Sequence, residues 1–383
     1  MDAAAAAARA RALVPALAAA AAATEAARDV PPATIAALRA GGLFRLLQPP
    51  GFGGHGAPFS AFSTVVETLA EGCAASAWVY AVLAEHAWVI GCFPARAQQE
   101  VWGEHPEALA CSSLVPRAAA RTVPGGWRLT GRWGFSSGST YADWAILGAL
   151  CAGTAGPHPR LLLVPMTELT RQDDWQVLGL RGTGSRSLVL DEVFVPQHRS
   201  VALEDLLAGT PPGRALHPQY ALLRAPRYLF VPYSLPPVAI GIGVAALAAG
   251  TALLAGQRAR GGAVVLARSE VVQTELGQAA AEIATARLIL RDGRARAQAA
   301  LDAGGTIDPA LPDANRRDMA FAVALVRRGI ERLCTLLGAA MVYDHHPLQR
   351  MLRDVLTIAS HSVVAPREAM GAAGRRLLHP AAD

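Results

Sequence analysis

The chain has 383 residues, 52% of them hydrophobic and 17% charged, with a net charge of +5. This excludes a disordered chain and leaves room for two or three layered units with substantial cores. No basic run exceeds two residues, which speaks for a mildly basic surface, some attraction for anionic cofactors, and no nucleic-acid footprint.

Residues 1–28 are Ala-rich and helical, with Pro15 expected in the first turn of the ordered part. Leu13 to Thr24 is too weakly apolar for a signal-peptide core and runs on into further helical text. Pro31-Pro32 opens a helix that Gly41-Gly42 stops. The glycine-rich stretch Gln48 to Gly56 lacks the Lys-Ser/Thr sequel of a phosphate-binding loop. From Ser60 to Gly91 a helical period recurs, with Val79, Val82, Leu83 and His86 on one inward face. A histidine there is either satisfied by a backbone carbonyl or turned toward a ligand. A short helix from Ala95 to Trp102 closes an N-terminal helical domain, residues 1–107.

The texture then changes to short β-like runs at Trp127 to Leu129, Ala145 to Leu150, Arg160 to Val164 and Ser187 to Val195. These define a middle β domain, residues 108–210. A Pro-rich, aromatic connector follows, Pro211 to Pro237, in which Tyr228 and Tyr233 are expected to pack over a substrate mouth. Helical spacing returns over 238–256, 269–301, 313–342 and 348 to about 372, which predicts an antiparallel four-helix bundle within residues 211–383. The first of these has membrane-spanning length but is mostly Ala and Gly, the composition of a buried helix with close neighbours, so no membrane is expected.

The five cysteines, Cys73, Cys92, Cys111, Cys151 and Cys334, show neither disulfide nor metal-ligand spacing and fit a cytoplasmic setting without a metal site. His345-His346 reads as a helix-start pair in solvent. Gly241-Ile242-Gly243 resembles a dinucleotide fingerprint, but no strand precedes it. Gly134-Phe135-Ser136-Ser137-Gly138 matches an esterase nucleophile elbow, but a strand, not a helix, is expected after it.

Three stretches carry more information together than apart: Gly131 to Trp144, Trp175 to Arg199, and Pro347 to Asp354 with His361 seven residues on. In this order they resemble the acyl-CoA dehydrogenase superfamily, most closely its two-component flavin-dependent monooxygenases. The implied fold is α+β, mostly α: helical domain, β domain, four-helix bundle, with flavin held between the last two. Where many dehydrogenases carry a glutamate base, this chain has Ala359-Ser360-His361-Ser362, as the oxygen-using branch does. The resemblance implies an aromatic hydroxylase that uses reduced flavin, FMN or FAD, and O2 through a C4a-hydroperoxide. It assigns catalytic roles to His361 as proton donor, Ser136 near flavin N5, and His86 as acceptor of a phenol proton. Trp133, Phe135, Ser136, Ser137, Gly138, Thr183, Ser185 and Gln273 would contact the cofactor, Gln273 and Arg268 near a flavin phosphate or a neighbouring subunit's flavin, and His86, Tyr228 and Tyr233 the substrate. Arg353 and Asp354 read as a structural pair. Asp354, Ile358 and His361 are expected on one inward stripe of the last helix, with Asp354 about 10 Å from His361 along the axis. A homotetramer and a separate flavin reductase are implied as well. The alternatives are an N-hydroxylating relative acting on an amine or amino sugar, an acyl-CoA dehydrogenase, and a flavin-free partner subunit.

With no credible dinucleotide fingerprint in the chain, the purified protein alone is expected not to oxidise NADH or NADPH, and a competent flavin reductase should restore turnover. Following absorbance at the reduced-nicotinamide band with and without reductase checks this.

Overall fold

The computed structural model describes residues 1–152, 156–256 and 265–379. The chain opens with α1 (Ala3–Ala27), capped by the Asp2 carboxylate, which accepts the Ala5 N–H at 2.7 Å. That cap starts the helix well before Pro15, which lies in the helix interior and not in its first turn. α2 (Pro32–Ala40) begins at proline and gives way to Gly42 at φ +66°, the proline-in, glycine-out arrangement expected.

The single periodic stretch expected from Ser60 to Gly91 is two helices, α3 (Phe59–Ala70) and α4 (Ala74–Gly91). The break falls at Gly72, where a Cβ would sit 2.7 Å from the Val14 carbonyl oxygen of α1. Every residue of α4 is buried, so the stripe read for Val79, Val82, Leu83 and His86 belongs to a helix enclosed on all sides. α5 (Ala95–Trp102) ends this helical segment.

Among the described residues seven strands form one sheet: β1 (Ala110–Val123), β2 (Gly126–Trp133), β3 (Trp144–Cys151), β4 (His158–Pro165), β5 (Thr170–Gln172), β6 (Ser187–Pro196) and β7 (Ser200–Ala202), in the order β5-β6-β2-β1-β3-β4-β7. β1 runs parallel to β3, and the other neighbours are antiparallel. The sequence did not announce β1, because Pro116 interrupts it at a register shift between Ser113 and Ala118.

After α6 (Leu203–Ala208) and the connector, which contains the single turn α7 (Arg227–Phe230), come α8 (Pro237–Gly256), α9 (Glu270–Asp302), α10 (Ala310–Leu337), α11 (Pro347–Ala359) and α12 (Pro366–Leu378). Two helical stretches, Ala3–Ala27 and Arg227–Gly256, are long and apolar enough to span a membrane, but half of the second's most apolar window is buried within the fold. The glycines of α8 serve close packing: a Cβ on Gly241 would meet the Glu67 carbonyl oxygen of α3 at 2.2 Å, and one on Gly243 would meet Val326 of α10 at 2.9 Å. Glu67, itself buried, pairs with Arg287 at 2.6 Å and Arg294 at 3.3 Å on α9. Small residues and one buried ion-pair cluster thus hold the bundle to the first helical segment.

The helix expected to run from 348 to about 372 is broken: α11 ends at Ala359, and the chain restarts as α12 at Pro366, which disfavours helical backbone at Ala365. His361 therefore lies in the loop between α11 and α12 and not on a helical stripe with Asp354 and Ile358.

The segment between β5 and β6 docks on α11 so closely that a Cβ on Gly179 would stand 2.1 Å from the Arg353 carbonyl oxygen. Gly179→Ala is expected to lower stability by about 1–3 kcal/mol through overpacking, although in an open position the same change would stiffen the unfolded chain and stabilise. The shift in urea midpoint measures it.

Candidate functional site

Two loops meet where the sheet faces α4 and α11. The β2–β3 loop carries Phe135 at φ +63° and Gly138 at φ +72°, and the β5–β6 loop carries Leu180 at φ +52° and Gly184 at φ +54°. Left-handed backbone at a phenylalanine and a leucine is strained and needs outside support. Part of it comes from cross-loop bonds, Ser136 N–H to the Arg186 carbonyl at 3.3 Å and Gly138 N–H to the Thr183 carbonyl at 3.2 Å. The rest comes from the bundle: the buried Asp354 carboxylate of α11 accepts the Leu180 N–H at 2.6 Å. The Leu180 carbonyl in turn accepts from Trp175 Nε1 at 3.2 Å and Thr183 Oγ1 at 2.8 Å.

The Asp354–Leu180 prop supports a chain of buried hydroxyls. Trp78 Nε1 of α4 donates to Ser137 Oγ at 3.1 Å, Ser137 and Ser185 stand 2.6 Å apart, and Ser185 and Thr183 also 2.6 Å. Donor accounting fixes the direction. Indole nitrogen only donates and a carbonyl only accepts, so the protons run from Trp78 through Ser137, Ser185 and Thr183 to the Leu180 carbonyl. Each hydroxyl keeps one acceptor lone pair. Ser136 lies beside this chain, fully buried, with its hydroxyl 3.4 Å from the Trp133 carbonyl.

Two histidines lie near the hydroxyls in opposite tautomers, His361 through its contact with Trp78 and His86 one turn along α4 from Leu83, which faces Gly138. His86 Nδ1 is 2.6 Å from the Ala110 carbonyl, which can only accept, so the proton is on Nδ1 and Nε2 is a bare acceptor. His361 Nδ1 accepts the Val363 N–H at 3.3 Å, so its proton is on Nε2. Its ring meets Trp78 edge-on, with centroids 5.5 Å apart. Burial pushes both imidazoles down to about 4, and the charge of Arg227 adds to the effect, against the Ala110 bond in the case of His86. Both are neutral near pH 7. Arg227, at the start of α7, also faces Glu85, whose carboxyl burial pushes up to about 7.

Of the residues expected to contact cofactor or substrate, Ser136, Ser137, Gly138, Thr183 and Ser185 lie together, His361 packs on Trp78 beside them, and His86 lies on α4 one turn beyond Leu83, which faces Gly138. Trp133 needs correction: its ring is sealed in the sheet with Nε1 on the Gly148 carbonyl at 2.9 Å, so its side chain supports the loop from behind. Tyr233 needs it too, being fully buried against Phe59 and held where a Cβ on Gly293 would lie 2.4 Å from its hydroxyl, which makes it core and not a substrate wall. Phe135 is exposed, edge-on to Trp175 at 5.8 Å. Tyr228 lies under Arg316, 4.3 Å from its guanidinium. Gln273 is an exposed first-turn residue of α9 bonded to the Ala267 carbonyl, and among the described residues no hydrogen bond links it to the hydroxyl chain. His346 caps α11 by accepting the Leu348 N–H. Sequence reasoning missed Trp78, Glu85 and Arg227. The signal for Glu85 was present, a carboxylate inside an otherwise apolar helical run.

The chemistry of this donor set suits a flavin. The rim is uncharged, and its spare lone pairs match a flat ring that presents N–H groups, more of them when reduced. Ser137, Thr183 and Ser185 would hold that ring edge.

Comparison with known proteins agrees. A family model described as acyl-CoA dehydrogenase, N-terminal domain, matches residues 2–104, and one described as acyl-CoA dehydrogenase, C-terminal domain, matches residues 233–366. The FADH(2)-dependent resorcinol hydroxylase, oxygenase component, of Rhizobium sp. (strain MTP-10005) is 35% identical over 348 residues, covering 88% of this chain and 85% of that one. The crystal structure of 3-HSA hydroxylase from Rhodococcus sp. RHA1 superposes with a TM-score of 0.92 at 30% identity, over 98% of this chain and 97% of that one. XiaF from Streptomyces sp., in complex with FADH2 and glycerol, gives 0.90 at 27% identity over 100% and 97%.

Burial outweighs the Leu180 bond and pushes the Asp354 carboxyl up to about 7, far above its value in an unfolded chain. The folded state therefore takes up a proton between pH 4 and 7, so the stability tied to Asp354 is intact at the acid end and is lost as pH rises through that window. Asp354→Asn keeps an acceptor for Leu180 and removes the titration. Unfolding curves for the two proteins should diverge by up to about 1.4 kcal/mol per pH unit between pH 4 and 7 and run parallel above it.

Proposed function

The chain belongs to the acyl-CoA dehydrogenase family, and on that premise we propose that it is the oxygenase component of a two-component flavin-dependent monooxygenase that hydroxylates a phenol-like aromatic ring. The observation that carries this reading is the pair of neutral imidazoles, one a bare acceptor and one a donor, beside an uncharged hydroxyl rim. Many dehydrogenases that remove a proton next to a thioester carry a carboxylate base at the position where this chain has His361. The relative that is named as an FADH(2)-dependent oxygenase component, and the neighbour solved with FADH2, support reduced FAD as the cofactor.

Reduced flavin supplies two electrons, so that with O2 one oxygen atom enters the ring and the other leaves as water. The residues of this chain do the rest. His86 Nε2 accepts the phenol proton, which makes the ring electron-rich where oxygen adds. His361 Nε2–H donates to the oxygen that departs, and its depressed pKa keeps it a neutral donor that reprotonates from solvent. Ser136, buried beside the rim, supplies a hydroxyl near the reacting ring edge, and the enclosure of α4 keeps water out. The reduced cofactor comes from a separate NAD(P)H-dependent flavin reductase. Exposed apolar side chains on the bundle, among them Val271, Leu288, Phe321, Leu377 and Leu378, support a homo-oligomer, a tetramer, joined through it. Five buried free thiols favour the cytoplasm.

Supplying enzymatically reduced flavin, O2 and a phenol, and measuring product and hydrogen peroxide per flavin, tests the reading. In His361→Asn the amide oxygen can still accept the Val363 N–H, while the donor at Nε2 is gone. This variant should keep its fold and flavin binding but lose about 10²–10⁴-fold in oxygenation, with reduced flavin diverted to peroxide. Coupled hydroxylation near the wild-type level would remove His361 from its role.

A further inference from the structure

The reaction above consumes O2 in a site that must exclude water, so the gas and the solvent need different ways in. A cavity of about 20 Å³, enough for one small molecule, lies against α4. Leu83, Ala87 and Ile90, spaced as one stripe of that helix, form one wall, and Phe44 and Trp102 stand among the others. The polar side chains around it are held elsewhere: Arg39 donates to the Glu107 carbonyl at 2.8 Å, Gln48 to the Pro106 carbonyl at 2.8 Å, and Arg45 to the Gly53 carbonyl. Of these three residues only Arg45 has a buried nitrogen without a partner, its Nε, a single donor where a held water needs two to four partners. Such a chamber suits an apolar molecule better than water.

Three contacts join the cavity to the site. Leu83 stands between the cavity and the β2–β3 loop, because a Cβ on Gly138 would meet its side-chain carbons at 3.1 to 3.2 Å. The carbonyl of Ala110, another wall residue, lies 2.6 Å from His86 Nδ1. The carbonyl of Leu109, a third, accepts the Asp143 and Trp144 N–H groups at 2.8 and 3.1 Å, where that loop enters β3. On the outer side, Pro106 and Glu107 are exposed.

We infer that this cavity is a dioxygen site, filled from the surface beside Glu107, and that Leu83 is the gate through which O2 passes to the reduced flavin. The inference rests on the monooxygenase reading and deepens it. A leucine changes rotamer without moving the backbone, so the wall opens to a gas molecule and stays apolar toward water.

Mixing the protein, loaded with reduced flavin, with O2 in a stopped-flow instrument and following flavin reoxidation tests this. Ala87→Val and Ala108→Val fill the cavity from two sides, and each should lower the second-order rate constant for O2 by about tenfold, the effect of about 1.4 kcal/mol added to the barrier. Affinity for reduced flavin and product formed per flavin should not change. Leu83→Ala, which takes the gate away, should raise the constant, and an unchanged constant there overturns the gate. Xenon NMR on the flavin-free protein under pressure should show a saturable site in wild type that both filled variants lack. A rate constant unchanged in both filled variants, a loss accompanied by weaker flavin binding, or no xenon site in wild type overturns the inference. The monooxygenase reading fails separately: wild type that turns all its reduced flavin over to peroxide with phenols overturns that reading, while the O2 rate constants still decide the role of the cavity.

Discussion

The bond from the Leu180 N–H to the Asp354 carboxylate joins a strained residue of the β5–β6 loop to a helix of the bundle. Everything on the rim depends on it. Leu180 in left-handed backbone turns its carbonyl toward Thr183 and Trp175, Thr183 terminates the hydroxyl chain, and the β2–β3 loop leans on the same segment. A buried carboxyl is an expensive way to hold one amide, and that expense marks a position at which geometry matters more than stability.

Electrostatics then divides labour between two residues of one type. Burial and Arg227 keep both histidines neutral, and the second nitrogen of each ring decides what the first can do: a carbonyl facing Nδ1 makes His86 an acceptor, while an amide facing Nδ1 makes His361 a donor. No difference in side-chain chemistry is needed. Backbone context alone makes one ring a proton acceptor and the other a proton donor.

Much of this was legible in the chain of letters, for reasons specific to each element. The order helix, sheet, bundle follows from the change of period near residue 108, and the rim motif follows from hydroxyls and glycines crowded into 131–144. The hydrophobic period failed where turns are made by single residues. Gly72 divides a stretch that reads as one helix, and the break between Ala359 and Pro366 leaves His361 off a helix but in the site. The period also cannot separate a helix buried on one face from one buried on all, so it did not single out Glu85 in α4. Tyr233 misled in the opposite direction, since an aromatic connector suggests a mouth, yet this ring fills space that Gly293 leaves open. Trp78 and Arg227 needed three dimensions, because what marks them is the partner across the gap.

The enclosure of α4 has a consequence for how such a protein diversifies. None of its eighteen residues faces solvent, so no substitution on it can be accommodated by swinging a side chain outward. The floor of the site is inherited as a unit with the core. Change at the site would have to come from the loops that border it, such as the α11–α12 loop that carries His361.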